Sequence, residues 1–177
     1  EGDLRQSLFL LTDNLNQIRL CPENSKIRIE LCAASYMYNR AADSGLTGGA
    51  TGVVTALAHS LDARYPECDH GSAYSIMTAP GMHFNIDYNC SGQARLGRIL
   101  GVADTQADER TIATAAATKI NDVFTMMKMP TRLREVGVPR DGIRMIAEDA
   151  MTDFALHRNI RPVEQSSDLE AMMEVIW

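Results

Sequence analysis

No apolar run in this sequence approaches the length of a membrane span. Its start, EGDLRQSLFLL, carries an acidic head where a signal peptide needs a basic one. A soluble, cytoplasmic protein is the expectation. Cationic excess is also missing: 17 Lys and Arg stand against 23 Asp and Glu, a net charge of -6. Binding to nucleic-acid phosphates is driven by clustered Lys and Arg, so this balance argues against nucleic acid and, for the same reason, against an anionic membrane. There is no C-x-x-C pair. Cys21, Cys32, Cys68 and Cys90 are scattered and read as reduced, mostly buried thiols rather than a disulfide framework. Nothing reads convincingly as a strand, and there is no internal repeat or low-complexity tract. Methionine is absent from the first position, where Glu1 stands, which suggests a processed or excised piece of something longer.

What is present is helical periodicity. Leu4, Leu8, Leu11, Leu15 and Ile18 recur every three or four positions and predict a helix over 4–20. A second begins at Pro22, which suits a first turn, with Ile27, Ile29, Leu31, Cys32 and Tyr36 as its apolar surface. Residues 43–52, DSGLTGGATG, must be a loop or a sharp reversal. A third helix covers 53–63. A fourth opens near His70, with Pro80 expected to kink or end it. DYNCSG reads as a loop, QARLGRILG as a short helix closed by Gly101, and the run from Thr105 as the longest helix, its face traced by Ile112, Ala116, Ile120, Val123, Phe124 and Met127. Three shorter helices follow Pro130. The prediction is one all-α domain over 1–177, a bundle of seven to nine helices.

Chemistry has to come from the polar residues. Of four histidines, His157 sits in the turn-rich stretch DFALHRNIRP and His83 follows Pro80 by three, and both read as ordinary surface residues. His59 lies on a helix among Val54, Leu57, Ala58 and Leu61, so it is partly buried and needs a hydrogen-bond partner, either as a core histidine or as a site residue. His70 stands at a helix start, where the helix dipole favours neutral imidazole, the form that binds metal. Helix-borne metal ligands usually come as i, i+4 pairs, yet one turn before His59 the residue is Thr55.

The stretch ALAHSLDARYPECDHGSAYSIMTAPGMHFN resembles the metal-site region of the iron-containing, group III alcohol dehydrogenases, whose pattern is G-x-x-H-x-x-x-H, a short loop, P-H-G and an apolar helix ending in F-N. ENSKIRIELCAASYM is similar to the helix before that site. MPTRLREVGVPRDGIRMIAEDAMTDFALHRNIRPV and the terminal EVIW resemble the family's tail. The resemblance implies the helical C-terminal domain of the dehydroquinate synthase-like fold, with the nucleotide-binding α/β domain absent from this chain. It implies an enzyme interconverting small alcohols and aldehydes with NAD or NADP, in which a divalent iron or zinc held by one aspartate and three histidines polarises the substrate oxygen. Two of those ligands belong to a helix upstream of this chain. Of the rest, His70 matches the P-H-G ligand, Thr55 falls where a histidine ligand is expected, and His59 matches the second helix histidine, a catalytic residue that relays a proton.

Threonine is a poor ligand for iron or zinc, so tight metal binding by this chain alone is not expected, though in an intact protein an upstream aspartate and histidine with His70 could still form a three-ligand site; nor is NAD(P) expected to bind tightly without the other half. Asp69 or Cys68 could swing in only awkwardly, being adjacent to His70. Two other readings stand beside a dehydrogenase domain: a metal-free relative serving as a binding or assembly module, and a structural subunit making homo-oligomer contacts through surfaces such as FTMMKM. Those methionines read more readily as core filling.

Overall fold

The structure is a computed structural model that describes residues 2–44, 52–102 and 107–177. Among the described residues there are eight α-helices and no strand, as the periodicity predicts. They fall into two compact units, Glu1–Ala50 and Thr51–Trp177.

The first unit is a pair of helices, α1 (Gly2–Ile18) and α2 (Ser25–Asp43). Ser7 Oγ donates to the Ala34 carbonyl at 2.8 Å, and Arg40 pairs with Asp3, so the helices run antiparallel. Their seam recurs every seventh residue: Ser7 and Asn14 on α1 are buried, as are Ile27, Ala34 and Ala41 on α2. Small side chains there allow a close backbone approach. This corrects the expected apolar surface of α2, since Ile29, Cys32 and Tyr36 are exposed on other faces. Cys21 is exposed too; only Cys68 of the four free thiols is buried. Pro22 precedes the helix instead of opening it, because the Asn24 side chain accepts from the Lys26 and Ile27 N–H groups and sets the start at Ser25, three residues later. Most of the predicted glycine-rich loop lies outside the described residues.

The second unit contains α3 (Val53–Arg64), α4 (His70–Phe84), α5 (Ile86–Ile99), α6 (Glu109–Met126), α7 (Gly142–Ala150) and α8 (Ser166–Glu174). Its core gathers Leu57 and Leu61 of α3, Ile76 and Met77 of α4, Ile146 of α7, Leu169 and Met173 of α8, and Leu133 from a 3-10 turn. The C-terminus is tied down: Trp177 Nε1 donates to the Val138 carbonyl at 3.0 Å, and the Leu133 N–H to the Ile176 carbonyl at 3.1 Å.

Two expectations are corrected here. Pro80 neither ends nor breaks α4, which continues to Phe84. Proline forfeits one backbone hydrogen bond, but next to it Gly81 lies so close to Val54 that any Cβ would collide, and this approach of α3 on α4 holds the helix. DYNCSG is not a loop; it is the first half of α5, bent at Asn89 (φ -139°, ψ 35°). The cap of α6 is Asp108, whose carboxylate accepts from the Thr111 N–H at 3.0 Å, while Thr105 lies outside the described residues. Gly101 closes α5 with φ +68° as expected. The methionines of FTMMKM are exposed or half-buried, so they do not fill a core. No helix among the described residues is long and apolar enough to cross a membrane.

Candidate functional site

The loop from Arg64 to His70 turns α4 back along α3. Asp69 fixes its start: Oδ1 accepts from the Ser72 N–H at 3.0 Å and Oδ2 from the Ser72 hydroxyl at 2.6 Å. Those bonds, the hydroxyl's first, hold the Asp69 carboxyl below its ordinary value of 3.8. A depressed carboxylate stabilises the fold above its unfolded pKa, and that contribution is lost as pH falls through the folded value. Asp69→Ala is therefore expected to lower the thermal unfolding midpoint at neutral pH, with the gap from wild type closing as pH drops below 3.8, in melts followed by circular dichroism.

The antiparallel helices place four side chains in two facing rungs. At one, the His59 and His70 rings stack with centroids 6.2 Å apart and planes 21° from parallel. At the next, the Tyr74 hydroxyl lies 3.1 Å from Thr55 Oγ1. Each rung joins α3 to α4, and on each helix the two positions are one turn apart. Tyr74 also sets its ring against His70, centroids 4.8 Å apart.

Both imidazoles are oriented by carboxylates. His59 Nδ1 is 2.9 Å from Asp153 Oδ2, and His70 Nδ1 is 2.7 Å from Asp62 Oδ2. With Nδ1–H donating to a carboxylate, neutral imidazole presents Nε2 as the acceptor, the geometry that suits proton transfer or metal ligation. Asp153 is itself set by the turn after α7, where its Oδ1 accepts from the Ala155 N–H at 2.7 Å. Phe154 beside it packs on His59 at 6.0 Å and remains exposed. His70 is exposed and His59 half-buried, so the pair faces an open surface.

Sequence reasoning placed His59, His70 and Thr55 correctly on their helices, and the structure brings them together. It missed Asp153, which is distant in the chain, and Asp62. It also missed Tyr74, although the i, i+4 spacing from His70 was a usable signal. His83 and His157 are both exposed; His83 lines a different groove of about 610 Å³ with Phe84, Arg161 and Met172.

The donors available here do not compose a metal site. No group of three or more His, Cys, Asp or Glu side chains among the described residues is arranged to hold a metal ion. Neither neighbour of His70 comes to its aid. Asp69 is committed to the cap of α4, and burial pushes the Cys68 thiol up, keeping it in the protonated form that does not ligate. Thr55 is buried with its oxygen facing Tyr74.

Residues 4–176 match the family model described as Fe-containing alcohol dehydrogenase family, C-terminal. The chain belongs to that family. Lactaldehyde reductase of Escherichia coli K12 is 28% identical over 139 residues, which cover 77% of this chain and 35% of that protein. The chain thus spans only about a third of the length of that relative. Among solved structures, 1,3-propanediol oxidoreductase superposes with a TM-score of 0.87 at 22% identity, over 100% of this chain and 45% of that one. The alcohol dehydrogenase from Oenococcus oeni gives a TM-score of 0.87 at 18% identity, over 99% and 44%. These likenesses establish the helical C-terminal fold of the family for the chain as a whole.

Proposed function

We propose that residues 1–177 act as one helical domain, the C-terminal half of a cytoplasmic oxidoreductase that interconverts small alcohols and aldehydes when joined to a nucleotide-binding half. The observation that carries this reading is the His59 and His70 pair, each ring aligned by its own carboxylate on one open face of a chain whose family is that of alcohol dehydrogenases. NAD or NADP, held by the other half, would supply or accept the hydride. His59, anchored through Nδ1 on Asp153, would give or take a proton at Nε2, and its half-burial limits competing exchange with water. Phe154 offers an apolar wall for the carbon chain of a small substrate.

The iron or zinc of the family is not built into this reading, since His70 alone of its expected ligand positions keeps a histidine here. A second reading, a metal-free module for binding or for homo-oligomer assembly, is favoured by Thr55.

The test is turnover by this chain joined to the segment that precedes it in its gene, with NADH and NADPH and a panel of short aldehydes, beside the chain alone. Cofactor oxidation by the joined protein and none by the separate chain is the expected result. A joined protein that binds neither cofactor and reduces no aldehyde would overturn the dehydrogenase reading in favour of the module.

A further inference from the structure

We infer that the paired hydroxyls of Tyr74 and Thr55 receive the substrate's oxygen in this protein, in the place where the family resemblance implies a metal ion. The inference rests on the proposed oxidoreductase function and names how that site binds its substrate.

Four observations lead to it. Thr55 stands where a histidine ligand is expected, and the side chain facing it across the helices is a phenol, hydrogen-bonded to it. Tyr74 touches Thr55 through its hydroxyl and His70 through its ring, so it bridges two of the expected ligand positions. Third, Thr55 is only 6% exposed and Tyr74 half-buried, each one helical turn from a more exposed histidine, His59 on α3 and His70 on α4. Last, the Tyr74 to Thr55 distance of 3.1 Å is long for an O–H···O bond, whose usual length is about 2.7–2.8 Å.

A carbonyl oxygen entering beside His59 would take the Tyr74 O–H as its donor, drawing it from the Thr55 oxygen that accepts it in the resting state and sets the phenol's starting position. The reduced nicotinamide of the other half would supply the hydride to the carbonyl carbon, with the C=O π bond breaking. The phenolic O–H then breaks as the alcohol O–H forms, leaving tyrosinate and oxidised nicotinamide. The phenol regains its proton from solvent, with His59 as the proposed relay, so the net reduction consumes one solvent proton and the starting state is restored. A positioned phenol does here, by hydrogen bonding and proton donation, what a Lewis acid does by charge.

The experiment uses the full-length protein, lactaldehyde as the probe substrate, EDTA, and added zinc or ferrous iron. Three results are expected: EDTA leaves turnover unchanged, Tyr74→Phe lowers kcat by roughly a hundredfold or more with a smaller change in KM, and Thr55→His alone brings no tightly bound zinc or iron by elemental analysis. Thr55→Val, which keeps the phenol but removes its support, is expected to lower kcat less than Tyr74→Phe, and it serves as the second variant should Tyr74→Phe fold poorly. Turnover abolished by EDTA and restored by zinc or iron would overturn the inference and leave the oxidoreductase reading intact. Full activity in Tyr74→Phe, or stoichiometric metal in Thr55→His, would overturn it equally. A full-length protein that binds no nicotinamide cofactor would overturn the underlying reading, and this inference with it.

Discussion

Leu57→Ala is expected to lower the unfolding free energy of the second unit by about 3 kcal/mol. Leu57 is fully buried on α3, between Thr55 and His59, and belongs to the cluster that joins α3 to α4, α7 and α8. Deleting its three outer carbons forfeits their transfer free energy and leaves a cavity that neighbours on four helices cannot collapse into without shifting. Against a typical total of about 5–15 kcal/mol this is a large share. Urea unfolding followed by far-ultraviolet circular dichroism measures it; a loss under about 1 kcal/mol would show that the cluster relaxes around the gap. Because α3 carries half of the candidate site, the same variant is expected to separate the His59 and His70 rings.

Asn159→Ala is expected to cost about 2–3 kcal/mol, although the residue is only half-buried. Its amide is the meeting point of three segments. Oδ1 accepts from the Val53 N–H at 3.0 Å, capping α3 from a distant part of the chain, and from Asn85 Nδ2 at 3.0 Å. Nδ2 donates to Asn85 Oδ1 at 2.8 Å and to the Arg161 carbonyl at 2.7 Å. Gly52, at φ +120°, brings the α3 backbone so near that a Cβ there would lie 2.9 Å from the Asn159 oxygen. Removing the amide leaves a helix-terminal N–H and the Asn85 side chain without these partners, and restoring one of them would not restore the others. Asn159→Asp is the informative companion. It keeps the acceptor for Val53 but loses both donations, so it should fall between wild type and alanine in thermal melts. Equal midpoints for all three proteins would show that water replaces the network at no cost.

The residues a reader of the sequence could not reach are instructive. Pro80 and DYNCSG both carry local signals against helix, and both are helical, because packing of α4 on α3 and of α5 on α6 outweighs a propensity penalty of a few kcal/mol. Ile29 and Tyr36 look like core residues by type and are exposed, since the seam of α1 and α2 chose Ile27, Ala34 and Ala41 for close approach. Asp153 and Asn159 carry no local signal at all: each acts on α3 from the turn region after α7, through contacts that no spacing rule describes.

By itself, the order of residues determined the helical class, the position of most helices, and the placing of Thr55 and His59 one turn apart on α3 with His70 opening α4. Those features follow from the 3.6-residue period and from capping, which are local properties of a chain. Tertiary structure alone decided that His59 faces His70, that Tyr74 faces Thr55, and that separate carboxylates align the two imidazoles. The reason is physical: an i, i+4 rule fixes which side chains share a face of one helix, whereas the register between two helices is set by how their whole surfaces pack. Here that register is held by Gly81 against Val54 and by the buried leucines beneath the site.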